Sequence, residues 1–379
     1  MKQKSLIIGA LLGCAVPAWA QSGVILYGVI DTNIEYVSNV SSVPPGSPGF
    51  PGKAGNKFAI SSGGLAGTRW GLRGEEDIGG GNKALFVLES GYGSDDGSTQ
   101  QGGRLFGRQA FVGLESKALG SVTLGRQYTS MFDALANFSP TAFATQYEPV
   151  IAMTGLNFRS DNTAKYTGVL GPITLSAHWS FGNGVFGNGE VPGQFSRDSG
   201  YGTGIYYLSD RFGLGVGYDV YHPSMTAFGD PGVGRTQKAA VAASYSFGQT
   251  VKLMGGYRWG KNNYNINSAT FLRDDLYWIG VNYQATPAVT LTAAWYYDDV
   301  KRIQLSSSGA ATNPANPWQV SFIADYNFSK RTDVYLTTAF AKNSGLNFDT
   351  STIGFANGYF PGASKNNMVG VALGIRHKF

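Results

Sequence analysis

Through most of this chain hydrophobic and polar positions alternate with a period of two. Val289, Leu291, Ala293, Trp295 and Tyr297 alternate with Thr290, Thr292, Ala294, Tyr296 and Asp298. Phe212, Leu214, Val216, Tyr218 and Val220 alternate in the same way with Gly213, Gly215, Gly217 and Asp219. Such runs predict strands with one apolar and one largely polar face, one set toward oil and the other toward water. Sixteen are recognisable, with cores at 24–37, 59–73, 83–92, 105–115, 122–128, 163–169, 173–180, 201–208, 212–221, 236–247, 251–259, 275–283, 289–300, 320–328, 332–341 and 369–379.

The connections carry as much information as the strands. Short turns at 170–172, 209–211, 248–249, 285–288 and 329–331 alternate with long segments at 181–200, 222–235, 301–318 and 342–368. A β-sandwich has no reason to place its long loops on every second connection. An up-and-down barrel threaded through a membrane does, because one rim carries tight turns and the other carries loops. Closure is then required, since each unpaired backbone group facing lipid costs several kcal/mol. The expected fold is all-β: a sixteen-stranded antiparallel transmembrane β-barrel with short periplasmic turns and long outer loops.

One connection stands apart. Residues 130–158 hold Asp133, Phe138, Pro140, Phe143, Tyr147, Glu148 and Pro149, and no basic residue lies between Arg126 and Arg159. A connection this long inside a compact fold is usually functional. It reads as a loop folded into the barrel, narrowing a water-filled pore, with its carboxylates facing arginines on the wall.

Composition agrees with this class. Lys2 and Lys4 precede an apolar run from Leu6 to Val16, followed by Ala18-Trp19-Ala20, the pattern of a cleaved secretory signal over 1–20. The competing reading, a lipoprotein box ending at Cys14, has a very short apolar run before it. The 21–379 remainder is expected to be one barrel domain, with 27 Lys+Arg against 24 Asp+Glu and no cysteine. Its net charge of +3 comes without any basic run, so nucleic acid is not an expected partner. With 54 Gly, 21 Tyr and 23 Phe in the full sequence, and no apolar stretch long enough for a membrane helix, the chain matches an outer-membrane barrel.

Leu26-Tyr27-Gly28, the stretch from Arg69-Trp70-Gly71-Leu72-Arg73-Gly74 to Glu75-Glu76-Asp77, Leu124-Gly125-Arg126-Gln127, Asp133-Ala134-Leu135 and the terminal Phe379 together resemble the trimeric general porins of Gram-negative outer membranes. The resemblance covers essentially all of 21–379. It implies an inward-folded third loop, a homotrimer in contact with outer-membrane lipid and lipopolysaccharide, passage of small hydrophilic solutes and ions, and a terminal Phe379 read by the barrel-assembly machinery. His377 stands where that signal more often has an aromatic. The resemblance also places Arg69, Arg126 and Arg159 at the pore constriction, opposite an acid on the third loop.

Alternation supports Arg69, because Trp70 and Leu72 take the outward parity. Arg126 shares the parity of Val122 and Leu124, so only a bulge or twist at Gly125 turns it inward. Arg159 lies at a strand start, where parity says little. The family's usual Pro-Glu-Phe-Gly-Gly loop sequence is absent, which leaves Glu148 as the first candidate for the loop acid and Asp133 as the second. The lumen-parity groups Asp31, Glu35, Lys83 and Glu89 read as solvated wall. Trp70, Trp179, Tyr283, Trp295 and Phe379 suit interfacial aromatic belts.

Other motifs lack their context. Gly182-Asn183-Gly184-Val185-Phe186-Gly187 has dinucleotide-loop spacing but no following helix, and the half phosphate loop at 255–261 ends before Asn262 instead of Ser or Thr. His178, His222 and His377 have no metal-ligand spacing. No cofactor and no enzyme chemistry are expected. The rival readings are a substrate-selective channel, a barrel hydrolase built on His178 with a nearby Ser and a third group, and a soluble secreted β-protein. The charges favour a weak preference for anions.

Overall fold

The computed structural model describes residues 23–185, 190–224, 232–350 and 358–379. The proposed leader at 1–20, with Cys14, lies outside them, as do Phe186 and Gly187 of the dinucleotide-like motif. Strands run antiparallel to their neighbours from β1 (Gly23–Ser41) to β17 (Asn367–Lys378). Two of them are halves of a single stave. β2 (Ala54–Ser62) pairs with the upper part of β1, and β3 (Arg69–Gly79) pairs with its lower part. Counting the halves together gives sixteen staves, and β1 pairs with β17 to close the barrel. The single strand expected over 59–73 is therefore interrupted. Residues 63–68 leave the wall, and Asp31 holds them by accepting from the backbone N–H of Leu65 and of Ala66 at 2.9 and 2.8 Å.

Closure runs to the last residue. The Phe379 N–H donates to the Gly28 carbonyl and receives the reciprocal bond, both at 3.1 Å. Its ring lies over Gly28, where a Cβ would come 2.7 Å from both Phe379 Cε1 and the Arg69 carbonyl oxygen. Ile34, Val112, Leu114, Leu124 and Ile279 are each more than half exposed on the outer face, as lipid contact demands. Trp295 and Tyr283 of the proposed belts are also exposed there.

The inner face departs from a uniformly wet wall. From β9 (Gly200–Leu208) through β14 (Val289–Ile303) it carries a dry bed for the third loop. Met131, Leu135, Phe138 and Met153 of that loop pack against Ala240 and Ala242 of β11 (Arg235–Phe247), Leu276 and Trp278 of β13 (Thr270–Gln284), and Ala294 and Tyr296 of β14. The alternate glycines of β9 and of β10 (Phe212–Tyr221) make room for it. A Cβ on Gly213 would sit 2.9 Å from Phe138 Cε1, one on Gly217 3.0 Å from Met131 Cγ, and one on Gly204 would collide with the Ser130 carbonyl oxygen.

Gly204→Val is therefore expected to lift the loop from its bed at a cost of about 1–3 kcal/mol. Single-channel recording should show a larger conductance and thermal unfolding a lower midpoint; wild-type values for both would mean that the loop does not rest there.

Candidate functional site at the channel constriction

The third loop leaves β6 (Gly120–Tyr128) and enters β7 (Arg159–Leu170) after crossing the lumen. Thr129 caps its first helix, α1 (Ser130–Leu135), by accepting from the Phe132 N–H at 3.3 Å. A 3-10 turn (Ala136–Phe138) and a second short helix, α2 (Val150–Thr154), complete its regular structure. Between them the loop has carbonyl groups with no ladder partner, and the wall supplies donors. Trp278 Nε1 donates to the Phe138 carbonyl at 2.9 Å, Asn282 to Pro140 at 2.8 Å, and Ser321 and Gln319 to Tyr147 at 2.7 and 3.0 Å. Tyr147 in turn donates its hydroxyl to Glu35 at 2.9 Å. Every such bond removes an otherwise unsatisfied buried group, so the loop is held at many points across the barrel.

The loop and the opposite wall enclose a cavity of about 350 Å³. On the wall side it is lined by Arg69, Arg108, Arg159 and Tyr128; on the loop side by Phe132, Phe143, Thr145, Glu148, Ile151 and Phe158. Glu89 of β4 (Asn82–Gly91) lies behind two of the arginines, 2.7 Å from Arg108 Nε and 3.4 Å from Arg69 Nε, and accepts from the Tyr27 hydroxyl at 3.1 Å. Arg108 and Arg159 each donate to the Tyr128 hydroxyl at 3.1 Å. The Arg159 guanidinium carbon also sits 4.6 Å from the centre of the Phe158 ring and 4.9 Å from that of Tyr128. Tyr128, by its hydroxyl and its ring, thus holds two cations at a fixed spacing, something a flexible ammonium would do less well.

The expected residues fall in different places. Arg69 and Arg159 line the cavity. Arg126 does not. The strand does kink beside it, with Gly125 at φ +130° and a register shift between Gly125 and Gln127. The Arg126 guanidinium is nevertheless engaged by Asp161 at 2.6 Å and by the Gly107 carbonyl at 2.7 Å, and Arg104 shares the same carboxylate at 2.9 Å.

Glu148 lines the same cavity but makes no ion pair with an arginine among the described residues. It is buried at the back of the cavity, where it accepts from the hydroxyls of Ser139, Thr141 and Tyr296. Burial pushes its carboxyl up, against the pull of those three hydroxyls. Asp133 pairs with Lys165 of β7 at 2.8 Å and ties α1 to the wall; burial raises it too, with the lysine pulling it back. Asp31, Glu35 and Glu89, read as solvated wall, are buried clamps, because each collects donors from a loop or a neighbouring strand. Lys83 does stay in water, paired with Glu75 at 2.9 Å. Arg108 lies inside the strand expected over 105–115, where the sequence does not single it out; the strand begins only at Gln109, so 105–108 approach the wall outside the ladder and alternation does not set the direction of Arg108. Glu89 had the right parity and the wrong assigned role.

The structure also brings Ser130, His178 and Asp219 into line. The Ser130 N–H donates to His178 Nδ1 at 3.2 Å, its hydroxyl lies 3.1 Å from the same nitrogen, and Nε2 is 3.6 Å from Asp219. A hydrolase needs such groups at a surface that a substrate can reach. Here Ser130, the first residue of α1, is fully buried, with His178 and Asp219 almost so, and the imidazole serves as an acceptor for the loop backbone. Among the described residues no cluster of His, Cys, Asp or Glu could hold a metal.

Replacing Glu89 with Gln is expected to leave Arg69 and Arg108 in mutual repulsion, lower the unfolding midpoint and move the reversal potential further toward chloride. Unchanged selectivity with unchanged stability would show that this carboxylate does not compensate the arginines.

The Gram-negative porin family profile matches residues 7–346. The chain is 29% identical over 413 aligned residues to an outer membrane porin protein of Bordetella pertussis and 27% identical over 400 to outer membrane porin protein 32 of Delftia acidovorans, with all of both chains covered in each case. Its fold is similar to that of a solved anion-selective porin from Comamonas acidovorans, with a TM-score of 0.74 at 22% identity over 95% of this chain and 100% of the other. It is also similar to OmpT of Vibrio cholerae in a trimer form, with a TM-score of 0.63 at 12% identity over 94% and 99%. With the family profile spanning most of its length, the chain belongs to the Gram-negative porin family, whose members are channels of the outer membrane and not enzymes.

Proposed function

We propose that this porin is an anion-preferring diffusion channel for small hydrophilic solutes, assembled as a homotrimer. The observation that carries the selectivity is the charge around the cavity: three guanidiniums, Arg69, Arg108 and Arg159, stand against two carboxylates, Glu89 behind two of the arginines and Glu148 on the loop side among three hydroxyls, while Asp133 pairs with Lys165. Guanidinium keeps its charge at any working pH, and a narrow low-dielectric passage strengthens its field. A ring of such charges raises the local concentration of anions and repels cations. The Arg104, Asp161 and Arg126 group adds one further positive charge.

The trimer is supported by the likeness to a protein solved in trimer form and by the overall family match. Phe379, whose backbone closes the barrel, is read as the signal that the barrel-assembly machinery recognises, and residues 1–20 as a leader removed on export. Outer-membrane lipid and lipopolysaccharide are the expected surroundings of the outer face.

Planar-bilayer recordings across a KCl gradient test the reading. The wild-type reversal potential is expected on the chloride side, with conductance steps in threes, and the preference should weaken as salt rises. Arg159→Gln should move it toward potassium by more than Arg126→Gln does. The opposite ranking would locate the selective field at Asp161 and its two arginines.

A further inference from the structure

The loop side of the constriction is aromatic where a general diffusion pore has reason to be polar. The rings of Tyr128 and Phe132 are stacked with centroids 4.2 Å apart and planes within 6°. The Phe158 ring centre lies 5.5 Å from that of Phe132, and the Phe143 ring centre 4.7 Å from it. All four rings remain partly exposed to the cavity, unlike Met131, Leu135 and Phe138 of the same loop, which are sealed against the wall. A row of rings left at a water-filled passage gives up burial that their neighbours obtain. Beside it stand the three guanidiniums, and Arg159 already lies over two of the rings. Its Nε has no hydrogen-bond partner among the described residues.

We propose that the constriction is a binding site for small carboxylates that carry an aromatic ring, the carboxylate meeting the arginines while the ring lies against Phe132 and Phe143. This rests on the anion preference proposed above and adds to it a class of solute. The two halves of such a solute match the two walls: an anionic end for charge-assisted bonds and a flat face for offset or edge-on contact with the loop rings. A cavity of about 350 Å³ accommodates one ring and one carboxylate with water remaining. Purely polar anions find only the first wall. Neutral aromatics find only the second.

The test uses the full-length channel in planar bilayers carrying a chloride current, with potassium benzoate, cyclohexanecarboxylate and acetate added in turn. Benzoate is expected to half-block the current at a concentration roughly fivefold or more below that of acetate, the size of effect an aromatic pair contact supplies. Cyclohexanecarboxylate should fall between them. In Phe143→Ala, and in Phe132→Leu, which keeps apolar bulk without a π face, the benzoate-to-acetate ratio should drop to about twofold or less, read on channels that still conduct chloride. Equal potency of benzoate and acetate, equal potency of benzoate and cyclohexanecarboxylate, or an unchanged ratio in both variants would overturn the assignment. A wild-type reversal potential on the potassium side, with the benzoate ratio intact, would instead remove the anion preference alone.

Discussion

Everything that narrows this barrel depends on satisfying the backbone of the long loop at 130–158 laid across its interior. A loop in a water-filled lumen has water for its polar groups and no reason to stay in one place. A loop pressed on a wall loses that water and must find protein partners instead. The wall provides both halves of the answer. Glycines and alanines on β9 to β11 let α1 and Phe138 approach closely and dry the contact. Trp278, Asn282, Gln319 and Ser321 then donate to the carbonyls that the contact has deprived of water. Neither half suffices alone, because apolar packing would leave buried carbonyls unpaired and hydrogen bonds to an open wall would compete with solvent.

The same logic explains where the acids went. Asp31, Glu35, Asp133 and Glu148 all have lumen-side positions, yet each is spent on holding a segment: the excursion after β2, the Tyr147 and Tyr359 hydroxyls, α1, and the turn after Phe138. Acids used as anchors make no ion pair with the cavity arginines among the described residues, and the carboxylate paired with two of those guanidiniums is Glu89. Most of the fixed charge at the constriction therefore belongs to the wall, with Glu148 as the loop's one contribution.

Tyr128 and the rings around it give the cations a rigid backing. A guanidinium lying on Tyr128 and Phe158 loses fewer conformations on meeting an anion than a free one would, and it costs less to desolvate than an ammonium. The loop thus contributes rings where carboxylates were expected, and the passage pairs a cationic wall with an aromatic one. That combination is absent from the periodic pattern of any single strand, since its parts come from β3, the approach to β5 (Gln109–Ser116), the ends of β6 and β7, and the loop.

The sequence by itself determined the number of staves, the face each strand turns to lipid, the alternation of long and short connections and the stretch that enters the pore. Those follow from period-two patterning and turn chemistry, which act over a few residues and need no knowledge of the far side of the barrel. The inward direction of Arg69 belongs with them, since Trp70 and Leu72 fix its parity. Tertiary structure alone decided the rest. Whether Arg126 meets the pore or Asp161, whether Glu148 pairs with a cation or with three hydroxyls, and whether Glu89 is solvated wall or a counter-charge depend on partners from 7 to 148 residues away, brought together by barrel closure and by the loop settling on its bed. Even the alternate glycines of β10, plain in the sequence, acquired a purpose only once Phe138 and Met131 were found lying on them.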